Sequence, residues 1–250
     1  MQEIKMENLR FEDLFALEPM NYYRRLVNKG NLNQLQKAEE IWEQTHSAKE
    51  VEDFAKDIIS QMNVNPLLIA AEIPAKYKNA SFDGYKPQNQ KQKKAKEKAQ
   101  EYCIEIKNHL QDGKNFIFLG MGDVGTGKTY LSICMLKDII KRQISAKFIS
   151  AIDMICSIKE DFKIDKYANV PVLIIDDLGK ERSTDWVCEQ LYAIINSRYV
   201  NNRPTIITTE GDISDLENSY DTKGKAILSR LKENIEIVPM LGSDYRQRRF

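Results

Sequence analysis

Two rhythms of apolar residues divide the chain. In residues 1–65, Leu35, Ala38, Ile41, Trp42, Val51, Phe54, Ile58 and Ile59 recur at helical intervals, with no strand-like alternation. They predict one long helix, opened at Asn31-Leu32-Asn33 and broken near Asn63-Val64-Asn65-Pro66. From residue 116 the pattern changes. Short runs at 116–119, 146–149, 172–176, 205–208 and 235–238 read as strands, and helical segments follow the first of them to about Arg142 and then occupy 151–160, 184–199, 213–217 and 223–233. Val170-Pro171-Val172-Leu173-Ile174-Ile175 carries no charge, as a parallel strand covered on both faces requires. Strands joined by helical crossovers specify a doubly wound α/β domain. Residues 73–92, with Pro74, Gly84 and Pro87, read as a connector. After it, Lys91, Lys93, Lys94, Lys96 and Lys98 lie in a helix continuing through Tyr102, Ile104, Ile106 and Leu110. The expected division is a small helical domain at 1–65, a linker with the start of the lysine-rich helix at 66–98, and the α/β domain at 99–250.

Chemistry enters between the first strand and its helix. Gly122-Asp123-Val124-Gly125-Thr126-Gly127-Lys128-Thr129 satisfies G-x-x-x-x-G-K-[ST] and stands where a strand gives way to a helix. Such a loop wraps closely enough to aim backbone N–H groups at phosphate oxygens; Lys128 would reach the β- and γ-phosphates and the Thr129 hydroxyl would meet Mg²⁺. The apolar strand ending in Asp176-Asp177 supplies the second half, because ligands of open α/β sheets gather at the carboxyl ends of strands. Asp176 is expected to hold Mg²⁺ and Asp177 to polarise the attacking water. Together they predict ATP and Mg²⁺ as ligands.

Composition narrows the setting. Of 250 residues, 42% are hydrophobic and 30% charged, an ordinary globular balance with room for one sizeable core and a smaller unit. No apolar run approaches the ~20 residues that span a bilayer, and the first residues lack the apolar core of a signal peptide, so a cytoplasmic protein without membrane contact is expected. Cys103, Cys134, Cys156 and Cys188 are widely spaced, and His46 and His109 isolated, which argues against a zinc site or a disulfide framework. Net charge is zero but segregated: residues 1–75 carry 13 acids against 8 bases, and residues 76–98 carry 8 lysines against 2 acids. Such segregation points to different partners for different parts. The lysine run reads either as a solvated helix face or as a contact to a phosphate backbone.

Four segments carry a family resemblance: Ile73-Pro74-Ala75-Lys76-Tyr77-Lys78-Asn79-Ala80-Ser81-Phe82, the glycine loop, Ile175-Asp176-Asp177-Leu178-Gly179-Lys180-Glu181, and Asp185-Trp186 with Leu191-Tyr192-Ala193-Ile194-Ile195-Asn196-Ser197-Arg198-Tyr199. Over residues 73–250 the chain resembles bacterial replicative helicase loaders of the DnaC/DnaI type, AAA+ ATPases related to the IstB transposition ATPases. The resemblance implies an AAA+ P-loop fold with a five-stranded parallel sheet. Ser229-Arg230-Leu231 matches the segment with the arginine finger, which implies that Arg230 completes a neighbour's ATP site and that the protein self-associates on ATP binding. Arg198 is a second candidate interface arginine, and Gly242-Ser243-Asp244-Tyr245-Arg246 resembles the family's ending. After the fourth strand the family places a polar sensor, whereas this chain reads Thr208-Thr209-Glu210. Either Thr209 senses phosphate or Glu210 faces away.

The implied function is an ATP-dependent loader that binds a hexameric replicative DNA helicase through residues 1–65 and assists its placement on single-stranded DNA during replication. Lys159, Lys163 and Phe162 are candidate DNA contacts, with burial of Phe162 in the core as the other reading. An IstB-like transposition helper is the nearest alternative, disfavoured by the acidic N-terminal region because an arm that binds duplex DNA should be basic. A small-molecule kinase and a nonhydrolysing adaptor are further readings.

Overall fold

The computed structural model describes residues 32–47, 49–51, 53–54, 65–121 and 123–245. The chain divides into two compact units, Met1–Ala70 and Ala71–Phe250. In the first unit, α1 (Leu32–Thr45) buries Ala38 and Trp42, and α2 (Pro66–Ala70) opens on a proline whose missing N–H costs nothing at that position. The expected single long helix is interrupted after Thr45. His46 takes a left-handed φ of 49°, and Ser47 Oγ accepts a hydrogen bond from the Glu50 N–H at 3.3 Å, so helical backbone restarts at Lys49 under a new cap. Ile58, Ile59 and residues 1–31 lie outside the described residues.

The second unit is built on five parallel strands: β1 (Asn115–Leu119), β2 (Ala146–Ser150), β3 (Val172–Asp176), β4 (Thr205–Thr209) and β5 (Ile235–Pro239), in the order β2-β3-β4-β1-β5. β1, β3 and β4 are buried along their whole length, whereas the outer strands β2 and β5 are only partly so. The uncharged run at 170–175 therefore becomes an inner strand, as two-sided burial demands. Register pairs Ser150 with Asp176 and Leu119 with Thr209. These strand ends consequently meet along one edge of the sheet.

Helices cover both faces. On one, Ile117, Leu119, Leu173, Ile175 and Ile207 pack with Met154, Leu191, Leu216 and Leu228 from α6 (Ala151–Asp161), α8 (Asp185–Val200), α9 (Ile213–Asn218) and α10 (Asp221–Lys232). On the other, Phe116 meets Tyr102 of α3 (Gln90–Ile104) at 5.1 Å between ring centroids, and α3 packs on α5 (Lys128–Lys141). Each such aliphatic or aromatic side chain, fully buried, contributes ~1.5–3 kcal/mol. A short α7 (Asp165–Ala168), absent from the sequence reading, buries Tyr167.

The expected linker at 66–98 is not a free segment from Ala71 onward, since those residues belong to the second compact unit. The Phe148 N–H donates to the Ala71 carbonyl at 3.1 Å along the outer edge of β2, and Lys137 Nζ holds the carbonyls of Lys78 and Ala80 at 2.8 Å. The lysine-rich helix also ends earlier than expected: α3 stops at Ile104, and α4 (Ile106–Asp112) restarts after Glu105, leaving Ile104 exposed and Ile106 buried. Ala95 and Ala99 face inward, and Lys91, Lys93, Lys94 and Lys98 face outward.

Candidate nucleotide-binding site

Where β1 hands the chain to α5, the loop turns so tightly that its backbone becomes the lining of a cavity. Gly127 has a φ of 96°, and a Cβ there would lie 2.7 Å from Tyr85 Cε2, so both backbone conformation and space require glycine. α5 then begins at Lys128 with no side-chain cap, which leaves its first N–H groups directed out of the helix. Thr126, Gly127, Lys128 and Thr129 line a cavity of about 700 Å³ together with Asp176, Asp177, Lys180 and Glu210. Thr126 Oγ1 is buried without a hydrogen-bond partner. An oxygen-rich anion fits this arrangement, because unpaired N–H groups at a helix start and a buried hydroxyl are costly unless a ligand satisfies them.

The remaining predicted loop residues divide. Asp123 turns away from the cavity: its carboxylate accepts the Gly242 N–H at 2.9 Å and its carbonyl accepts Lys128 Nζ at 3.1 Å. Val124 is surface-exposed, Gly125 lines the cavity, and Gly122 lies outside the described residues. Burial lowers the Lys128 pKa, and the charges of Glu210 and Asp177 oppose that shift.

Thr129 and Asp176 meet across the gap between α5 and β3. The threonine hydroxyl donates to both carboxylate oxygens, at 2.9 and 3.0 Å. These hard oxygen donors suit Mg²⁺, and no group of three or more His, Cys, Asp or Glu side chains among the described residues can hold a metal, so phosphate and water oxygens would supply its other ligands. Burial raises the Asp176 carboxyl to about 6, opposed by the Thr208 hydrogen bond. Thr208 Oγ1 donates to Asp176 at 2.7 Å and accepts the Asp177 N–H at 2.9 Å, which fixes both acids from the neighbouring strand. Asp177 itself has a left-handed φ of 55°, an uncommon conformation for a residue with a side chain. Glu181, a few residues further on, is buried away from the cavity, accepting hydrogen bonds from Tyr220 Oη and, at 3.1 Å, from the Gly179 N–H.

Several residues were invisible to motif reading. Tyr77, Tyr85 and Tyr130 converge on the cavity from the supposed connector and from α5, with the Tyr85 and Tyr130 ring centroids 5.8 Å apart. Tyr85 Oη donates to the Thr126 carbonyl at 3.2 Å. The C-terminal segment 242–245 straps the loop: the Tyr245 N–H donates to the Gly125 carbonyl at 3.0 Å, and the Tyr245 ring lies 5.9 Å from that of Tyr85. Arg246 is outside the described residues. The resemblance at 73–82 and at the chain's end was the available signal.

Four expectations change. Thr209 is buried beside Gly179 and does not line the cavity; Thr208 holds Asp176, and Glu210 faces inward, paired with Lys180 at 2.7 Å. Arg198 is 1% exposed and bonded within its own domain, so it is no interface arginine. Phe162 is not in the core: it caps α6 with a left-handed φ of 54° and is 78% exposed. Arg230 does not project freely. Its guanidinium lies 4.6 Å above the Tyr192 ring, with Nε on Asn196 Oδ1 and Nη2 on Tyr192 Oη, both at 2.7 Å, and it lines no part of the cavity.

Comparison with known proteins agrees with this geometry. The phage-like element PBSX protein XkdC of Bacillus subtilis (strain 168) is 28% identical over 193 residues, 72% of each chain. The replicative helicase loader DnaC of Escherichia coli (strain K12) is 25% identical over 165 residues, 62% of this chain and 64% of that protein, so the aligned region spans less than two thirds of the loader. A crystal structure of the DnaC helicase loader superposes with a TM-score of 0.58 at 31% identity, covering 67% of this chain and all of that one. The five-stranded parallel sheet with its phosphate loop is the AAA+ P-loop fold. Residues 35–250 match the IstB-like ATP binding protein family, and the chain belongs to that family.

Proposed function

We propose that this protein is an ATP-hydrolysing loader that engages a hexameric replicative DNA helicase through residues 1–65 and assists its placement on single-stranded DNA. One observation carries the reading. The cavity holds the lysine, threonine and aspartates for Mg²⁺–ATP, yet no arginine among the described residues lines it, while Arg230 lies outside it on α10, bonded to Asn196 and Tyr192. Such a half-site is completed by a second copy.

The loop N–H groups and Lys128 bind the phosphates, and Thr129 and Asp176 would hold Mg²⁺. When bound, Mg²⁺ neutralises charge on the β- and γ-phosphate oxygens. Asp177 orients the attacking water, and Arg230 of the next subunit stabilises charge on the transferred phosphoryl group. Release of phosphate then weakens the joint between subunits, so ATP shifts a population between assembly states. The exposed Phe162 ring, with Lys159 and Lys163 nearby in sequence, offers a base-stacking platform beside phosphate-binding ammonium groups.

The test is retention on an immobilised replicative helicase with ATP present. The full chain is expected to be retained and a chain lacking residues 1–65 to be lost while still binding ATP. Helicase capture by the truncated chain, or capture of a transposase and duplex DNA in place of helicase, overturns the assignment in favour of a different partner.

A further inference from the structure

Lys180 follows the Asp176-Asp177 pair, and its ammonium is shared. Nζ lies 2.9 Å from Asp177 Oδ2 and 2.7 Å from Glu210 Oε1. The two carboxylates come from the ends of neighbouring strands, β3 and β4. A Cβ built on Gly120, just past β1, would lie 2.8 Å from both Glu210 Cα and Lys128 Nζ, which places Glu210 beside the phosphate lysine. Lys128, Asp176, Asp177, Lys180 and Glu210 all line the one cavity.

Two ammonium groups thus face three carboxylates where a polyphosphate would end. The α- and β-phosphates of a nucleotide would be held by the loop backbone, which a diphosphate and a triphosphate use alike, while Lys128 reaches the β- and γ-phosphates. The third phosphate adds its charge beyond them, on the side of Asp177 and Glu210. An unneutralised carboxylate there repels the longer ligand more than the shorter one, since Coulomb repulsion rises as separation falls. A carboxylate tied to an ammonium repels much less.

We propose that the Lys180 bridge to Asp177 and Glu210 sets the selectivity of this site for a nucleoside triphosphate over a diphosphate. The inference rests on the nucleotide-site reading above. Lys180 acts as a specificity-determining residue by cancelling the negative charge that Glu210 brings to the phosphate end.

The experiment measures ATP and ADP affinities by calorimetry at fixed Mg²⁺ and ionic strength, for the unaltered chain, Lys180→Met, Glu210→Gln, the double variant and Lys180→Arg. Lys180→Met is expected to lower the ATP-to-ADP affinity ratio about three- to tenfold, a modest range because these side chains are partly solvated. Glu210→Gln should raise the ratio. The double variant should lie closer to the unaltered protein than Lys180→Met does, and Lys180→Arg should restore selectivity because it keeps the charge. A ratio unchanged in Lys180→Met while ATP still binds, or a double variant no closer to the unaltered protein than Lys180→Met is, overturns this inference alone. Failure of the unaltered protein to bind either nucleotide overturns the site reading and this inference together.

Discussion

The Arg198 guanidinium donates through Nε to Thr205 Oγ1 at 2.9 Å, through Nη1 to the carbonyls of Tyr167 and Val170 at 2.8 Å, and through Nη2 to the Pro204 carbonyl. Burial pushes its pKa down, to about 9, which still leaves it protonated at neutral pH. It ties α8 to the turn before β3 and to the start of β4. The family resemblance offered it as an interface residue; only packing reveals that these carbonyls converge on it. Arg198→Met should therefore destabilise the second unit by about 3 kcal/mol, since each buried carbonyl left unpaired costs roughly 1–3 kcal/mol. Urea unfolding measures this, and a loss below about 1 kcal/mol would contradict the structural role.

Among elements, the segment after β5 shows how much a short strap contributes. β5 ends at Pro239, and the Met240 N–H donates to the Leu119 carbonyl at 2.7 Å, extending the β1–β5 pairing by one step. Beyond it, Asn89 Nδ2 donates to the Leu241 carbonyl at 2.8 Å and Ser243 Oγ to Gln88 Oε1 at 2.8 Å, so the strap joins the start of α3 to the phosphate loop. Ending the chain after Met240 keeps every strand but frees the loop at Asp123 and Gly125. ATP affinity should fall on the order of tenfold, because a loop that is no longer preorganised must be ordered on binding. Calorimetry beside a thermal melt separates this from unfolding; full affinity in the shortened chain would show that the loop holds its own shape.

At the scale of the whole molecule, one subunit offers a nucleotide cavity and, elsewhere, an arginine. Arg230→Ala should bind ATP nearly as the unaltered chain does but lose ATP-driven assembly and turnover; an arginine finger in efficient GTPases is worth on the order of 10³-fold or more, and a slow switch ATPase would lose less. Lys128→Ala should lose productive ATP binding instead. Mixed together, the two defective chains form some interfaces with an intact cavity facing an intact arginine. Phosphate release should then partly return. A mixture that co-assembles and stays inactive would make Arg230 a structural residue that braces Tyr192 and Asn196.

Local chemistry made much of this protein legible in advance. The strand at 172–176 has the same bounds in both views, and the helix after the loop was misplaced by one residue at its end, because an uncharged β-branched run and a G-K-T turn leave the backbone few alternatives. Lys128, Thr129, Asp176 and Asp177 were nameable for the same reason, and the cavity gathers them. What the sequence left open depends on groups distant in the chain meeting in space. The sequence left open whether Thr209 senses phosphate or Glu210 faces away, and Glu210 faces inward because Lys180, from another strand end, neutralises it. Tyr85 and Tyr245 lie far from the loop in sequence and reach it only because residues 71–89 fold back along β2 and α5 while β5 carries the chain's end past Leu119. Periodicity reports which face of an element is apolar; it does not report which element arrives opposite. That is decided by the parallel order β2-β3-β4-β1-β5, which brings the ends of β1, β3 and β4 to one edge and lets their charges settle against one another.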